Sequence, residues 1–179
     1  MKTIKYKIEF FSNWHCGSGL GAGADVDAIV IKDKDGIPFV PGKTVKGLLR
    51  EAAMNVVSGN AEWINRVFGN FTDKDDNVMG CAFFSDAAIC DKERKAICGN
   101  GLAPYLFRSF AATAIDENGI AKDLSLRKIE TVVPCTLYGY VLNVPEEHEE
   151  NLEKSFRYVK RMGLGRNRGY GRCEISKVE

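Results

Sequence analysis

The segment 147–162, EHEENLEKSFRYVKRM, constrains the fold of this 179-residue chain more than any other part of it. Its apolar residues fall on one stripe of an α-helix, at Leu152, Phe156, Val159 and Met162. Glutamates crowd the start of the segment and basic residues its end, which suits the partial charges at the two ends of a helix. Because a single apolar stripe must be buried against another element, we expect this helix to pack on a β-sheet.

Strand-like segments predict that sheet. They cover residues 3–12, 80–89, 105–120, 129–144 (broken at Pro134) and 173–178. Shorter signals predict a hairpin over 28–40 around the turn DKDG, a helix over 42–58 and a helical turn over 63–69. Residues 92–104 are polar and punctuated by glycine, which is typical of an excursion from the sheet. The order of elements predicts an α+β domain of the β-α-β-β-α-β ferredoxin-like kind.

The loop RMGLGRNRGYGR, residues 161–172, follows the predicted helix and holds four glycines and four arginines. From Lys154 to Cys173 there are seven basic residues and no acidic one, although the net charge of the whole chain is only +1. Tight turns and close backbone packing would explain the glycines. They do not explain the arginines, Lys160 and Tyr170 beside them, so the pattern favours contact with an anion or a nucleic acid.

Two segments resemble nucleotide-binding motifs but do not meet the requirements of those motifs. PGKTVKG resembles the end of a phosphate-binding P-loop, but Ile37 stands where that motif needs glycine and two prolines intervene. GLGRNRG follows a helix and precedes a strand, the reverse of a dinucleotide-binding turn, so no helix N-terminus faces the loop. We therefore expect no nucleotide cofactor, and any anion here must be held by the arginines and amides of the loop itself.

Composition limits the remaining classes. A hydrophobic fraction of 45% and a charged fraction of 27% are typical of a soluble globular domain, and no apolar run is long enough to span a membrane. The N-terminal residues alternate as in a strand, so we expect a cytoplasmic protein with reduced cysteines. A zinc site built from Cys81, Cys90 and Cys98 stays open, but their spacing favours buried thiols.

Several separated motifs resemble the RAMP superfamily of CRISPR-associated proteins. GLGRNRGYGRCEI at 163–175 resembles the glycine-rich signature of that superfamily. HCGSG at 15–19, followed by DVDAIVIKDKDGIPFVPGKTVKGLLR at 25–50, resembles the first half of the backbone subunit of type III effector complexes. VFG, CAFFSDA, TAIDENGIA and IETVVPCTLYGYVL extend the likeness over nearly the whole chain.

The resemblance implies a single RAMP domain over 1–179, a modified ferredoxin-like (RRM-like) fold with an inserted thumb or lid at about 88–128. It implies a protein that binds guide RNA along its phosphate backbone and oligomerises into a filament with other CRISPR effector subunits. The thumb would interrupt the duplex between the guide and a complementary target RNA. The partners expected are therefore RNA and other subunits, with no membrane.

The RNA-binding residues that the resemblance and the charge pattern imply form three groups. The first lies in the HCGSG loop: His15, Gly17, Ser18 and Gly19. The second is the start of the first helix, where Lys43, Thr44 and Lys46 match the family segment and Arg50 shares a face with Lys46. The third is the C-terminal loop: Gly163, Gly165, Arg166, Asn167, Arg168, Gly169, Tyr170, Gly171 and Arg172.

The resemblance also implies a catalytic aspartate, because target-cleaving members use one in the loop before the VIKD strand. Asp27 matches that place, and Asp25 lies two positions away. RNA supplies its own nucleophile, the 2′-hydroxyl, so a carboxylate need only accept a proton or help to hold a divalent ion. We therefore expect Asp27 to be catalytic or to contact a metal, with Mg²⁺ or Mn²⁺ as the candidate cofactor.

Two alternatives remain. RAMP relatives that process precursor guide RNA often use a histidine without metal, which makes His15 a candidate general base. His148 lies among glutamates at a helix start and is expected on the surface. The second alternative is that the protein is a structural RAMP subunit with no catalytic activity.

Overall fold

The structure of this protein is a computed structural model, which describes residues 1–19, 26–56, 61–70 and 78–178. Its four helices in that part of the chain are α1 (Gly42–Val56), α2 (Ala61–Phe68), α3 (Asp91–Gly99) and α4 (Glu149–Tyr158). Its strands are β1 (Lys2–Phe10), β2 (Phe39–Val40), β3 (Gly69–Asn70), β4 (Val78–Met79), β5 (Phe83–Phe84), β6 (Ala87–Ala88), β7 (Phe107–Ala112), β8 (Arg127–Val132), β9 (Thr136–Val144) and β10 (Cys173–Lys177). None of the described helices is long and apolar enough to cross a membrane.

The main sheet has the order β10-β1-β9-β6-β2, and β5 also pairs with β9. Every pairing between its strands is antiparallel. Along the chain, β1, α1, the short strands β5 and β6, β9, α4 and β10 follow one another, with β2 and α2 in addition. The ferredoxin-like arrangement stays a prediction. The predicted α+β class is confirmed.

Both long helices pack on one face of this sheet. The residues of β1 alternate, so that Ile4, Tyr6, Ile8 and Phe10 are buried between its exposed or half-buried neighbours. Leu152 and Phe156 of α4 are buried, as predicted, and the rings of Phe156 and Tyr6 lie 5.6 Å apart. Burial raises the pKa of Tyr6 well above its usual range. The opposite face of the sheet is left open.

An inserted unit separates β6 from β9. It contains α3, a 3-10 turn at Ala103–Leu106 and the antiparallel pair β7–β8, a two-stranded sheet of its own. Because β8 continues to Val132, this hairpin runs past residue 128, where the predicted thumb ends. Its role as a thumb stays a prediction.

Helix α3 was not predicted, since residues 92–104 were expected to be irregular. None of its residues is buried, so no apolar stripe marks it in the sequence. Contacts with the turn before β2 hold this helix in place, because the Arg94 guanidinium donates hydrogen bonds to both Asp33 and Asp35. Burial would raise the pKa of the Asp33 carboxyl, but the hydrogen bond and charge of Arg94 and the backbone hydrogen bonds from Ile37 and Asp35 together hold it below its usual range.

Two further predictions need correction. The hairpin over 28–40 is reduced to one bridge, Lys32 with Pro38, and β2 pairs instead with β6. Helix α4 ends at Tyr158 rather than at residue 162, because Val159 adopts an extended conformation where the chain turns into the glycine-rich loop. Val159 and Met162 are nevertheless buried. The apolar stripe therefore predicted the core residues correctly, but it predicted the end of the helix wrongly.

Candidate nucleic-acid interface

The glycine- and arginine-rich loop 161–172 is tied by backbone hydrogen bonds to the loop that follows β1. The Leu164 N–H donates to the His15 carbonyl at 3.0 Å, and the Gly171 N–H donates to the Asn13 carbonyl at 2.7 Å. In the other direction, the Phe11 N–H donates to the Arg172 carbonyl at 2.8 Å. Two segments distant in the sequence thus form one backbone unit at the end of the sheet.

The four glycines of this loop have a structural reason of their own. Gly163, Gly165, Gly169 and Gly171 all have positive φ, between 65° and 90°. A Cβ on Gly163 would lie 2.1 Å from the His15 carbonyl oxygen, and one on Gly171 would lie 1.9 Å from that of Met162. Tight backbone packing therefore accounts for the glycines, and contact with an anion is needed only to explain the cations.

Those cations are on the surface. Arg166, Asn167 and Arg168 form a short exposed 3-10 helix, and Arg172 is exposed at the end of the loop. Arg161 donates from Nη1 to the Arg166 carbonyl at 3.1 Å, and this bond links the start of the loop to its 3-10 helix. That these side chains contact RNA stays a prediction.

Tyr170 is engaged within the fold. Its ring makes an edge-to-face contact with Phe110 of β7, with 5.6 Å between the ring centroids. A Cβ on Gly165 would lie 2.7 Å from this ring, so that glycine leaves room for it. Phe110 thus gives the Tyr170 ring a packing partner within the fold. The contact also joins the loop to the inserted hairpin.

Helix α1 lies beside the loop. Leu48 and Glu51 line a small cleft together with Arg161 and Arg166. At its N-terminus the Gly42 N–H donates to Asp86 Oδ1 at 2.7 Å, so a carboxylate of the protein occupies this end of the helix. An anion bound nearby must therefore be held by side chains.

The start of α1 also contacts the first glycine loop. Burial raises the pKa of the Cys16 thiol, while a hydrogen bond with Thr44 and the charge of Lys43 oppose the rise. Lys43 is exposed, and Lys46 and Arg50 are half-buried. The predicted cations of α1 and of the loop thus belong to one region. We call the exposed faces of loop 161–172, with Lys160 before it, and of the first half of α1 the basic surface.

The cations of the basic surface form no ion pair with a carboxylate in the part of the chain that the structure describes: Lys43, Lys46, Arg50, Lys160, Arg161, Arg166, Arg168 and Arg172. Some of the cations elsewhere do pair. Lys2 and Lys177 both contact Glu149, at 2.9 and 2.6 Å, and Lys32 contacts Glu130 at 2.7 Å. Positive charge on the basic surface is therefore not neutralised by its own fold.

The HCGSG loop is backed by the segment that follows it. Gly17 forms a bridge with Val30, and the Ser18 N–H donates to the Ile29 carbonyl at 3.0 Å. The Ser18 hydroxyl donates to the same carbonyl at 3.2 Å. Gly17 and Gly19 are exposed, so backbone at these two positions is accessible.

For His15, either a contact with RNA or a structural role is expected, and the structure supports the structural role. Its side chain is 3% exposed, and Nδ1 lies 2.6 Å from the Glu130 carbonyl oxygen. Since a carbonyl can only accept, Nδ1 carries the proton in this contact. The side chain is thus part of the interior, and neither the predicted RNA contact nor the alternative role as general base is available to it in this arrangement.

Asp27 is exposed at the edge of the inserted hairpin. Its N–H donates to the Lys128 carbonyl at 2.8 Å, and its Oδ2 accepts from the Lys128 N–H at 2.7 Å. The carboxylate is therefore held by backbone, with Oδ1 directed to no hydrogen-bond partner among the described residues. Asp25 lies outside the described residues.

A metal site is not completed by the residues that can be described. Within 1–19, 26–56, 61–70 and 78–178, no group of three His, Cys, Asp or Glu side chains is placed to hold a metal ion. Asp27 supplies one carboxylate, which is too few ligands to define a site for Mg²⁺ or Mn²⁺. All six cysteines are free thiols, and burial raises the pKa of Cys135 to about 11 and of Cys173 to about 12.

Comparison with known proteins identifies the family. The model of the RAMP superfamily matches residues 7–174. The chain belongs to the RAMP superfamily. A search among curated proteins finds no match for this RAMP protein.

Two solved structures share the fold of this RAMP protein. A chain in the cryo-EM structure of type III-B Cmr-beta bound to cognate target RNA aligns with a TM-score of 0.79 and 11% identity, over 99% of this chain and 97% of that one. A chain in the cryo-EM structure of the apo state of type III-B Cmr-beta aligns with a TM-score of 0.76 and 12% identity, again over 99% and 97%.

Ser12 and Asn13 anchor the basic surface of the RAMP protein, although no sequence motif predicts this role. The Ser12 hydroxyl accepts a hydrogen bond from the Arg172 N–H at 2.9 Å, and the Asn13 carbonyl accepts from Gly171. Short polar residues directly after a strand are a signal for such bonds, because the chain must turn there. Their partner 160 residues away could not be identified from that signal.

Proposed function

We propose that this RAMP protein is a subunit of a type III CRISPR effector complex and that its basic surface binds the phosphate backbone of the guide RNA. The observation that supports this most directly is the set of exposed or half-buried cations of the basic surface, which have no carboxylate partners in the described part of the chain. Exposed cations that are not paired within the fold are free to replace the counterions of an RNA strand. The loop holds them on a backbone unit that is fixed from both sides.

The guide contact is tested by removing Arg166 and Arg168 together. In the variant Arg166→Ala/Arg168→Ala, RNA affinity should fall for all sequences alike, because phosphate contacts carry no sequence information. The slope of log affinity against log salt should become shallower by about 0.7 for each phosphate that the variant no longer neutralises, or by about 1.4 for two phosphates. Fluorescence anisotropy over a series of salt concentrations measures both the affinity and the slope.

A matched control removes two cations elsewhere. Lys34 lies in the turn before β2, and Lys154 pairs with Glu150 on the outer side of α4. Lys34→Ala/Lys154→Ala changes the net charge equally but leaves the basic surface intact. If this control flattens the salt dependence as much as the arginine variant does, general charge and not the basic surface governs binding.

Assembly along the guide is the second part of the proposal. The likeness of fold to chains of type III-B Cmr-beta supports it, and a guide-bound filament of several copies is the expected form. Purification with native partners should recover repeat-derived RNA in lengths that differ by a constant step. A preparation free of RNA, from cells that express the partners and the guide, would contradict this part of the proposal.

Cleavage of complementary target RNA by Asp27 is the third part. Asp27 Oδ1 would accept the proton of a 2′-hydroxyl as its oxygen bonds to phosphorus, while the bond from phosphorus to the 5′-oxygen breaks and that oxygen takes a proton from water. The hydrogen bond from Lys128 to Oδ2 fixes the carboxylate for this role without using both oxygens.

Asp27→Asn is the sharpest variant, because its amide oxygen can still accept from the Lys128 N–H while the negative charge is gone. Both Asp27→Asn and Asp27→Ala should lose cleavage of guide-complementary RNA and keep guide binding. Full activity in Asp27→Asn would rule out the carboxylate as proton acceptor. If the wild type also fails to cleave while binding the guide, the protein is a structural subunit. Cleavage that persists in chelator would contradict the predicted need for Mg²⁺ or Mn²⁺.

A further inference from the structure

The face of the main sheet opposite the helices is open and carries aromatic rings. Tyr138 and Tyr140 of β9 are 41% and 44% exposed, and Phe83 of β5 is 56% exposed. Tyr138 and Tyr140 are two positions apart on one strand, so they project from the same face about 6.6 Å apart. Phe83 pairs with Leu142, the next residue of β9 on that face. The rings therefore form one patch, which we call the aromatic face.

Lysines of the neighbouring strand border these rings. Lys5 of β1 is the direct cross-strand partner of Tyr140, and Lys7 is that of Tyr138. Direct partners on one face of an antiparallel pair have Cβ atoms about 5 Å apart, within reach of both side chains. Lys7 also pairs with Glu9 at 3.2 Å, but both side chains are well exposed, so water competes with this bond.

Exposed tyrosine rings with a lysine opposite each of them suit single-stranded RNA as a ligand. Unpaired bases stack on aromatic side chains of an open sheet, and lysines beside the rings meet the phosphates that link those bases. A double helix keeps its bases stacked on each other and cannot use such rings. A protein partner would not need a lysine opposite each tyrosine.

We propose that the aromatic face is a second RNA-binding site, which takes unpaired nucleotides of single-stranded RNA by stacking on Tyr138 and Tyr140. The inference rests on the proposed function in that RNA is the ligand, but it concerns a different face of the molecule. Glu9 and Glu174 are cross-strand partners at the end of the sheet nearer the loop 161–172. These carboxylates lie between the aromatic face and loop 161–172, so we treat the aromatic face as a site distinct from the basic surface.

The experiment compares Tyr138→Ala/Tyr140→Ala with Tyr138→Phe/Tyr140→Phe in the full chain. The ligands are labelled oligouridylate and an RNA duplex of equal length, measured by fluorescence anisotropy. Loss of one base–ring stack corresponds to roughly fivefold or more in affinity, so the alanine variant, which loses two, should bind oligouridylate at least about 25-fold more weakly. The phenylalanine variant keeps the rings and should bind like the wild type, and neither variant should change duplex binding.

Crosslinking gives a second readout that does not depend on affinity. RNA containing 4-thiouridine should crosslink to the peptide that holds residues 136–144, and these crosslinks should persist in Arg166→Ala/Arg168→Ala. Suppose that Arg166→Ala/Arg168→Ala binds RNA like the wild type while Tyr138→Ala/Tyr140→Ala binds it more weakly. This result would contradict RNA binding by the basic surface and support RNA binding by the aromatic face.

Three results would overturn the inference. Binding of oligouridylate could be unchanged in Tyr138→Ala/Tyr140→Ala. Alternatively, both ligands could be weakened equally with a fall in melting temperature, which would make the tyrosines merely structural. Finally, the alanine variant could lose self-association in sedimentation while keeping its RNA affinity, which would assign the aromatic face to a second copy of the chain.

Discussion

Replacing Gly171 by alanine tests whether the loop 161–172 depends on the close approach of two backbone segments. Gly171 has φ of +65°, and an added Cβ would lie 1.9 Å from the carbonyl oxygen of Met162. That approach cannot be tolerated, so the paired strands of the loop must separate. The hydrogen bond from the Met162 N–H to the Gly171 carbonyl, at 2.9 Å, should be broken or weakened.

The magnitude follows from three contributions. The left-handed conformation costs alanine about 1–2 kcal/mol, and the broken hydrogen bond costs about 0.5–1.5 kcal/mol. Alanine also lowers the entropy of the unfolded chain, which offsets about 0.4–1 kcal/mol. The free energy of unfolding should therefore fall by about 2 kcal/mol, which corresponds to a decrease of about 4–8 °C in Tm for a chain of this size.

Gly169→Ala is the matched control. Gly169 has φ of +90°, but a Cβ there would meet nothing within 4 Å. The variant bears the conformational cost without the collision, so its loss of stability should be clearly smaller, about 0–1.5 kcal/mol. Thermal and urea unfolding followed by circular dichroism measure both variants. Equal loss in the two would refute the idea that the approach to Met162 constrains the loop.

Further predictions concern groups outside the basic surface. His15→Ala should lower the free energy of unfolding by about 2–3 kcal/mol, because it leaves a cavity and an unpaired Glu130 carbonyl; a variant as stable as the wild type would contradict the buried assignment. Glu149→Gln tests pH dependence: hydrogen bonds from two lysines lower the pKa of Glu149 from 4.5 to about 2, so its stabilising effect is complete above about pH 4.5 and disappears as the pH falls towards 2. The stability difference between wild type and Glu149→Gln in urea should shrink over that range, and a constant difference would contradict it. Arg94→Ala should make α3 more susceptible to proteolysis with a stability change on the order of 1 kcal/mol, and an unchanged cleavage pattern would show that the turn at 33–36 does not hold the helix.

The order of the long elements could be predicted because their apolar patterns report burial directly. Ile4, Tyr6 and Ile8 alternate in β1, and Leu152 and Phe156 recur in α4, as each face requires. Helix α3 could not be found this way, since it buries no residue and is held by ion pairs to a distant turn.

In the candidate site, too, some features could be predicted from the sequence and others could not. The exposure of Arg166 and Arg168 followed from their charge and their place in a glycine-rich loop. The burial of His15 did not, because its environment is made by the Glu130 carbonyl, 115 residues away along the chain. Local sequence indicates which groups are polar, whereas long-range packing decides which of them remain accessible.

The pairing of the loop after β1 with loop 161–172 has a consequence for synthesis of the protein. Residues 11–15 emerge from the ribosome long before their hydrogen-bond partners at 164–172. Contacts of such high sequence separation form late, since closing the intervening loop costs entropy before any bond is gained. A nascent chain therefore has no assembled basic surface until the translated chain has folded back on its own first strand.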